Sequence, residues 1–308
     1  MSDALIDEDI RKARTLPSAW YTEMEHFKQL QSVFSGWQFA AHQSEFETNN
    51  VLPLEHIEAI NGESMVLVKD EQTACYSNVC THRGMRVALE ACTAKKLQCR
   101  YHGRTFNLDG TLRHMPEFKE AIDFPSASDN LAEFPLKQWM GMHFTALNAA
   151  AKIPWEGLEQ RLGFLGLEAF VLDAARNRDH MIDANWMLYV DNYLEGFHIP
   201  YVHPELNQAL DYGAYTTETF DGGVLQIGKA MEGDVKFDLP EGQPRCWSRH
   251  CGLLPVAVSE HDVQLLSMGA FAQHRRPRFP NPNKGALPGL CGQCRAGEPG
   301  RWCLARHS

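Results

Sequence analysis

The residues whose types and spacing best suit metal chemistry are two Cys–His pairs, Cys80-x-His82 and Cys99-x-x-His102. Two thiolates and two imidazoles in this order suit a [2Fe–2S] cluster in which one iron takes both sulfurs and the other takes both histidines. Neutral imidazoles leave such a cluster less negative than four thiolates would. Its potential is therefore expected between roughly −150 and +300 mV, against about −400 mV for a four-cysteine cluster. A cluster of this kind carries single electrons.

A zinc site is the alternative, since two cysteines and two histidines also bind zinc. Zinc-finger spacing groups the cysteines together and the histidines together, whereas each pair here is Cys followed by His. Gly84 and Gly103 follow the two histidines, which suits tight loops whose backbone amides approach cluster sulfurs. These features favour the cluster. Cys75 and Cys92 fit no ligand spacing and are expected to be buried structural thiols.

The order C-T-H-R-G followed by C-x-Y-H-G-x-x-F resembles the Rieske domains of bacterial oxygenases. The Rieske proteins of cytochrome complexes differ, because they carry an extra cysteine in each loop and a serine after the second His-Gly. The corresponding positions in this chain are Met85, Arg100, Tyr101 and Arg104. Fewer hydroxyl donors near the cluster sulfurs favour the lower part of the potential window.

A second group of potential metal ligands lies about a hundred residues later in the chain. Apolar residues at helical spacing predict a helix over 185–195, and Gly196 and Pro200 then interrupt it. His198 and His203 can therefore converge on one metal. Two histidines with a carboxylate form the facial triad of non-haem Fe(II) oxygenases, which leaves positions open for O₂ and substrate. Ordinary helix-end or core histidines are the alternative, and the cluster motif upstream makes it the less favoured one.

The segment E-x-x-H-x-x-x-x-H also resembles the catalytic-domain motif of the Rieske non-haem iron oxygenases. In that family, the acidic residue three before the first histidine bridges the iron site to a cluster histidine, usually in the neighbouring subunit of a trimer. Glu195 matches this position, and His102 or His82 would be its partner. A glutamate within N-Y-L-E-G-F-H-I-P-Y-V-H-P looks more like the choline and carnitine monooxygenase group. A solvated helix carboxylate is the alternative.

The elements around these motifs predict an α+β fold. We expect an antiparallel β Rieske domain with the cluster on two loop tips, followed by an incomplete helix-grip type catalytic domain with an antiparallel sheet. The expected sheet strands are 215–220 and 224–228. The predicted organisation is a helical segment over 1–36, the Rieske domain over 37–150, the partial mononuclear-iron domain over 151–245 and a tail over 246–308.

Composition narrows the function classes. A hydrophobic content of 44% and a charged content of 22% are ordinary for a globular protein. The net charge of −10 argues against a nucleic-acid partner. No apolar run approaches the roughly 20 residues that span a bilayer, and the acidic N-terminus lacks a signal-peptide pattern. We therefore expect a cytoplasmic protein with no membrane partner.

The chain changes character near Arg245. Residues 246–308 hold eight Lys and Arg against three Asp and Glu, and five of the nine Cys. A disordered tail and a metal site at Cys291-x-x-Cys294 are two interpretations. A third comes from the genetic code: back-translating 251–277 and reading from the second base of each codon permits AAYYRWLFPNMMFNFYPWGLSLNIVVP, which resembles the catalytic sheet of the same oxygenase family.

We therefore predict a single-nucleotide frameshift near 243–246, which makes 246–308 an out-of-frame translation. The family's third iron ligand, an Asp or Glu on a later helix, would then be missing, and two histidines alone would hold Fe(II) weakly. The edge of the strand at 224–228 would also lack a partner, which is an aggregation hazard.

The resemblance covers roughly 20–244 and implies an oxygenase α subunit. A ferredoxin or flavin reductase would pass electrons from NAD(P)H to the cluster, and the bridging carboxylate would couple the cluster to the mononuclear iron. O₂ activated there would hydroxylate or demethylate a small molecule, with a quaternary ammonium compound as the leading candidate. The alternatives are a catalytically impaired remnant that retains only the [2Fe–2S] electron-transfer domain, and an aromatic-ring dihydroxylating dioxygenase.

Overall fold

The computed structural model describes most of the chain up to residue 231 and short strands beyond it. The described residues are 7, 9–30, 34–148, 150, 155–165, 167–169, 171–172, 179–181, 184–193, 195–220, 223–231, 251–259, 261–266, 269–273, 288–290 and 301–302. Within these ranges, no helix has both the length and the apolar character needed to cross a membrane. The predicted domain boundary at 151 and the cysteines of the Cys291-x-x-Cys294 motif lie outside the described residues.

The N-terminal segment folds into two short helices, α1 (Ala19–Thr22) and α2 (Met24–Leu30). Phe27 on α2 is buried, so this short helix is fixed by packing more than by its own length.

The first domain consists of three small antiparallel sheets. One sheet has the order β1-β10-β9, the second β2-β3-β4-β8 and the third β5-β6-β7. The strands are β1 (Trp37–His42), β2 (Val51–Pro53), β3 (Met65–Lys69), β4 (Thr73–Ser77), β5 (Leu97–Gln98), β6 (Thr105–Phe106), β7 (Leu112–His114), β8 (Glu133–Phe134), β9 (Leu136–Trp139) and β10 (Met142–Ala146). Helix α3 (Glu55–Asn61) connects β2 to β3.

The core of this domain explains its strand pattern. All six residues of β1 are buried, and the first four of β3 are also buried, so these strands are covered on both faces. Cys80 and Cys99 belong to the buried apolar core, together with Val66, Val87 and Phe106. The two cysteines of the predicted ligand loops are therefore packed into the domain core.

The second domain combines helices with a five-stranded antiparallel sheet of order β13-β14-β15-β16-β17. The helices are α4 (Trp155–Leu162), α5 (Trp186–Tyr193), α6 (Ile199–Val202) and α7 (Pro204–Ala209). The strands are β11 (Val171–Leu172), β12 (Asp179–Met181), β13 (Leu210–Phe220), β14 (Gly223–Ala230), β15 (Cys251–Ser259), β16 (His261–Leu266), β17 (Gly269–Gln273), β18 (Pro288–Leu290) and β19 (Arg301–Trp302). The helix predicted over 185–195 and the strands predicted over 215–220 and 224–228 are confirmed, with β13 beginning earlier than predicted.

One sequence prediction about the sheet is wrong. The edge at Val224–Gly228 was expected to lack a partner, but β14 pairs with β15 from Val224 opposite Val256 to Lys229 opposite Cys251. Ladder hydrogen bonds join backbone groups, so an extended segment can complete an edge whatever its side chains are. This pairing does not test the frameshift, which stays a prediction.

Candidate metal centres

The loop of the first Cys–His pair is a closed backbone turn. The Cys80 N–H donates to the Met85 carbonyl over 2.8 Å, and the Gly84 N–H donates to the Cys80 carbonyl over 3.0 Å. Gly84 has a φ of 73°, in the left-handed region that glycine adopts without strain. The turn holds the Cys80 and His82 side chains on one tight loop.

The loop of the second pair repeats this pattern. The Cys99 N–H donates to the Arg104 carbonyl over 2.8 Å, and the Gly103 N–H donates to the Cys99 carbonyl over 3.1 Å. Gly103 has a φ of 75°. Each loop therefore makes the same two backbone hydrogen bonds within itself. The histidine nevertheless follows the cysteine by two positions in one loop and by three in the other.

The four predicted ligands separate into an inner and an outer pair. Cys80 and Cys99 are buried, whereas His82 is half-buried and His102 is exposed. The two imidazole ring centroids lie 4.7 Å apart in an edge-to-face arrangement. The Nδ1 atom of His82 is buried and has no hydrogen-bond partner among the described residues. A two-iron cluster fits this arrangement, because each iron takes one pair of like ligands.

The charge state of these side chains responds to their surroundings. Burial raises the pKa of the Cys80 thiol, and the neighbouring Cys99 acts in the same direction, while the His82 backbone N–H and the Arg104 guanidinium favour the thiolate. Burial lowers the pKa of His82, and the positive charges of His102 and nearby arginines reinforce this effect. The neutral imidazole is the form that binds a metal.

The two other cysteines of this domain behave as structural thiols. Cys75 is fully buried, and burial raises its pKa to about 12, so it stays protonated. Cys92 is half-buried and packs against the core beside the cluster loops. The prediction of a buried structural thiol is thus confirmed for Cys75 and only in part for Cys92.

A third loop contacts both ligand loops, and motif spacing alone did not reveal it. Asp129 ends a short 3-10 turn, Ala127–Asp129, that begins with a capping box on Ser126. Its carboxylate accepts from Arg104 Nη2 over 2.5 Å, and its carbonyl accepts from the Thr81 hydroxyl over 2.8 Å. The Ser-x-x-Asp pattern of the capping box is the sequence signal that marks this turn.

The second predicted centre lies where α5 gives way to α6. His198 and His203 flank the single turn of α6, and their ring centroids lie 5.0 Å apart. Pro200 occupies the first turn of α6, as helix starts permit. The two histidines thus lie close together, and their binding of one metal stays a prediction. Among the described residues, no third His, Cys, Asp or Glu side chain joins these two histidines in a group that could hold a metal ion.

Glu195 contacts the first of these histidines. Its Oε1 lies 2.5 Å from His198 Nδ1, and its Oε2 accepts a hydrogen bond from the Phe197 N–H. Because Nδ1 is engaged by the carboxylate, Nε2 of His198 is the atom that remains for a metal. Glu195 therefore contacts one of the two predicted iron ligands, and its role as a bridge to a cluster histidine stays a prediction.

Sheet strand β13 supports this loop through a residue that the sequence analysis did not single out. Gly196 is buried, and a Cβ at this position would lie 2.9 Å from Tyr215 Cε1, so only glycine permits this approach. The Tyr215 hydroxyl donates to Gln226. Burial raises the pKa of Tyr215 to about 12, with Glu195 and Tyr212 acting in the same direction, and the phenol stays a donor.

Helix α5 is also held by the N-terminal segment. The Tyr21 hydroxyl donates to Asp191, and the Asn185 side-chain amide donates to the Tyr21 carbonyl over 2.9 Å. Trp186 meets Phe34 edge-to-face at 5.1 Å. These contacts fix the helix that leads into Glu195.

Comparison with known proteins decides the family. Residues 36–135 match the Rieske [2Fe-2S] domain, and residues 166–284 match the ring hydroxylating alpha subunit catalytic domain. Over 263 residues, the chain is 30% identical to the carnitine monooxygenase oxygenase subunit of Escherichia coli K12, covering 80% of this chain and 68% of that protein. The chain belongs to the Rieske oxygenase α-subunit family.

One further relative and two solved structures are also similar to this chain. The chloroplastic choline monooxygenase of Beta vulgaris is 26% identical over 242 residues, which cover 73% of this chain and 53% of that protein. A quaternary ammonium Rieske monooxygenase bound to gamma-butyrobetaine has a TM-score of 0.62 at 23% identity, covering 90% of this chain and 74% of that one. Naphthalene 1,2-dioxygenase from Rhodococcus sp. has a TM-score of 0.57 at 24% identity, covering 74% and 57%. This chain shares the fold of both structures.

The comparisons confirm the α+β architecture, the Rieske domain and the oxygenase class that the motifs predict. Members of the family combine a [2Fe–2S] cluster with a mononuclear iron and take electrons from a separate reductase or ferredoxin. The catalytic-domain match continues past the predicted frameshift position, to residue 284. This match does not test the frameshift, which stays a prediction that the coding DNA can decide.

Proposed function

We propose that this chain is the oxygenase subunit of a monooxygenase that hydroxylates or demethylates a small quaternary ammonium compound. The observation that carries the proposal is the contact of Glu195 with His198 beside His203, in the same chain as a Rieske domain. The names of the relatives, carnitine and choline monooxygenase, support the substrate class.

The residues divide into two proposed metal centres. Cys80 and Cys99 would hold one iron of the [2Fe–2S] cluster, and His82 and His102 would hold the other. The second centre would use the two histidines beside α6. When bound, the cluster supplies single electrons and the mononuclear iron activates O₂. The overall reaction consumes one O₂, two electrons and two protons, and it places one oxygen atom in the substrate and the other in water.

The protein's own groups orient the second centre. The Glu195 carboxylate fixes the His198 imidazole by its Nδ1 atom, which would leave Nε2 to bind the metal. Tyr215 packs against Gly196 and keeps the carboxylate at its place in the loop. We further propose a cytoplasmic homotrimer, in which the same carboxylate reaches a cluster histidine of the adjacent subunit.

Turnover with a matched variant tests the proposal. Purified protein with a compatible reductase is expected to consume NAD(P)H and O₂ in a carnitine- or choline-dependent manner. His203→Ala should abolish product while the EPR signal of the reduced Rieske cluster persists. Product formation by this variant at the wild-type rate would contradict the assignment. Formation of cis-diols from aromatic compounds, without quaternary ammonium turnover, would favour the ring-dihydroxylating alternative.

A second candidate function is electron transfer alone. The composition of residues 246–308 and the pairing of only two histidines beside α6 among the described residues favour it. Iron content separates the two candidates, because a two-iron cluster with a mononuclear site gives about three Fe per chain and the cluster alone about two. A cluster EPR signal with about two Fe and no turnover would identify the electron carrier.

A further inference from the structure

Asp129 joins the two cluster loops to a single turn. Its carbonyl accepts from the hydroxyl of Thr81, which stands between the first Cys and the first His. Its Oδ1 accepts from Nη2 of Arg104, which stands two residues after the second His. Its Oδ2 accepts from the backbone and the hydroxyl of Ser126, over 2.8 and 2.9 Å. The carboxylate thus contacts the second ligand loop and its own turn, and the carbonyl contacts the first ligand loop.

The Arg104 guanidinium is a buried cation. Its side chain is 3% exposed, and Phe106 and Phe124 lie beside it, with ring centroids 5.9 and 5.6 Å from Cζ. Its Nε atom is buried without a hydrogen-bond partner among the described residues. Burying a cation is costly unless a nearby negative charge compensates it. The carboxylate of Asp129 supplies only part of that compensation, since Ser126 shares it.

The same cation belongs to the loop of the second Cys–His pair, where the Cys99 N–H donates to the Arg104 carbonyl over 2.8 Å. Its partner Asp129 in turn holds Thr81, which stands next to Cys80 and His82 in the first loop. Reduction of the cluster adds one negative charge, and a fixed cation in a low-dielectric site stabilises the product of that step. An exposed cation at the same distance would act less, because water and salt screen it.

We propose that Arg104 and Asp129 are positioning residues for the cluster, with opposite effects on its reduction potential. Asp129 holds the two ligand loops at a fixed separation, and the charge of Arg104 raises the potential at which the cluster accepts an electron from the reductase. The carboxylate of Asp129 offsets part of that charge. This inference rests on the proposed [2Fe–2S] centre and deepens it.

Redox titration of the purified full chain, monitored by the EPR signal of the reduced cluster, tests the inference. Arg104→Gln is expected to lower the midpoint potential by about 59 mV, a tenfold change in the equilibrium constant of a one-electron reduction. Asp129→Asn should raise it, since the cation then acts without its counter-charge. Arg104→Lys, which keeps the charge, should stay nearer to the wild type than the glutamine variant.

Two controls separate charge from loop geometry. Arg86→Gln removes an arginine near the first loop that pairs with Glu58 at the surface, where its side chain is 45% exposed, and it should leave the potential unchanged. Thr81→Val removes the uncharged tether to Asp129. It should speed the loss of the cluster to a chelator while the potential stays at the wild-type value.

The inference is overturned if the potentials of Arg104→Gln and Asp129→Asn move in the same direction or do not move. It is also overturned if Thr81→Val releases the cluster no faster than the wild type. If Arg104→Gln does not assemble a cluster, the midpoint potentials of Asp129→Asn and Arg104→Lys decide. A higher potential in Asp129→Asn than in Arg104→Lys supports the electrostatic effect, and an equal or lower one overturns it. A wild-type protein without a Rieske EPR signal would instead refute the proposed cluster itself.

Discussion

Replacing Glu195 by Gln is expected to weaken metal binding at His198 and His203 without affecting the cluster. The glutamine oxygen can still accept from His198 Nδ1, so the variant loses the charge of the acceptor and keeps its shape. The wild-type contact spans 2.5 Å between Oε1 and Nδ1. Charge-assisted hydrogen bonds contribute about 1.5–3 kcal/mol, against about 0.5–1.5 kcal/mol for neutral ones.

The difference between these ranges is about 1–1.5 kcal/mol, which corresponds to roughly tenfold in affinity. The Glu195 side chain is 32% exposed, so solvent screening keeps the effect at the lower end of the 10- to 100-fold loss typical of groups that support a metal ligand. Glu195→Ala removes the acceptor altogether and should approach the upper end of that range.

Anaerobic competition with an Fe(II) chelator measures this affinity, with the iron of the cluster counted separately by EPR. Asp191→Asn is the matched control, because Asp191 lies on the helix just before Glu195 but accepts from Tyr21 instead of a histidine. It should bind Fe(II) like the wild type. The reasoning is refuted if Glu195→Gln retains wild-type affinity within twofold, or if the Asp191 variant loses as much.

Three further predictions concern the loops, the core and the gene. Gly103→Ala should destabilise its loop by roughly 1–2 kcal/mol through the left-handed backbone, and its new Cβ would lie 3.3 Å from a proline side chain. Thermal melts should show a larger loss than for the equivalent change at Gly84, where the nearest atom is 4.0 Å away. Burial lowers the pKa of His42 and His143 to about 4. The unfolded state therefore binds more protons below pH 6.5, and stability should fall by about 2 kcal/mol for each histidine between pH 7 and pH 5. Urea unfolding at the two pH values measures this loss, and a flat profile would contradict it. Finally, the coding DNA for 251–277, read from the second base, should encode the strand-like sequence given above; its absence would rule out the frameshift.

The sequence predicts the features that depend on residues close together in the chain, and it misses those that depend on contacts between distant segments. Cys80-x-His82 and Cys99-x-x-His102 were recognisable because metal ligands on a tight loop must lie close in sequence. Asp129 and Tyr215 were not, because each acts through a contact between distant segments. No periodicity or spacing encodes such a contact.

The one wrong prediction has a related cause. The edge of β14 was expected to stay open because the predicted frameshift would remove the sheet strands that follow it. The edge is nonetheless paired, because side-chain patterns say which face of a strand is buried and backbone groups decide whether a neighbour can bind.

In both cluster loops, the backbone hydrogen bonds that form the turn do not involve the histidine side chain that would bind the metal. The hydrogen bonds are made by a cysteine, a glycine four positions later and the carbonyl after it, and the imidazole takes no part in them. The metal-binding side chain between them can therefore be exchanged without rebuilding the turn. Cysteines in place of His82 and His102 would convert the same scaffold into a four-thiolate carrier of much lower potential. The fold thus offers a template on which the driving force of an electron-transfer protein can be engineered.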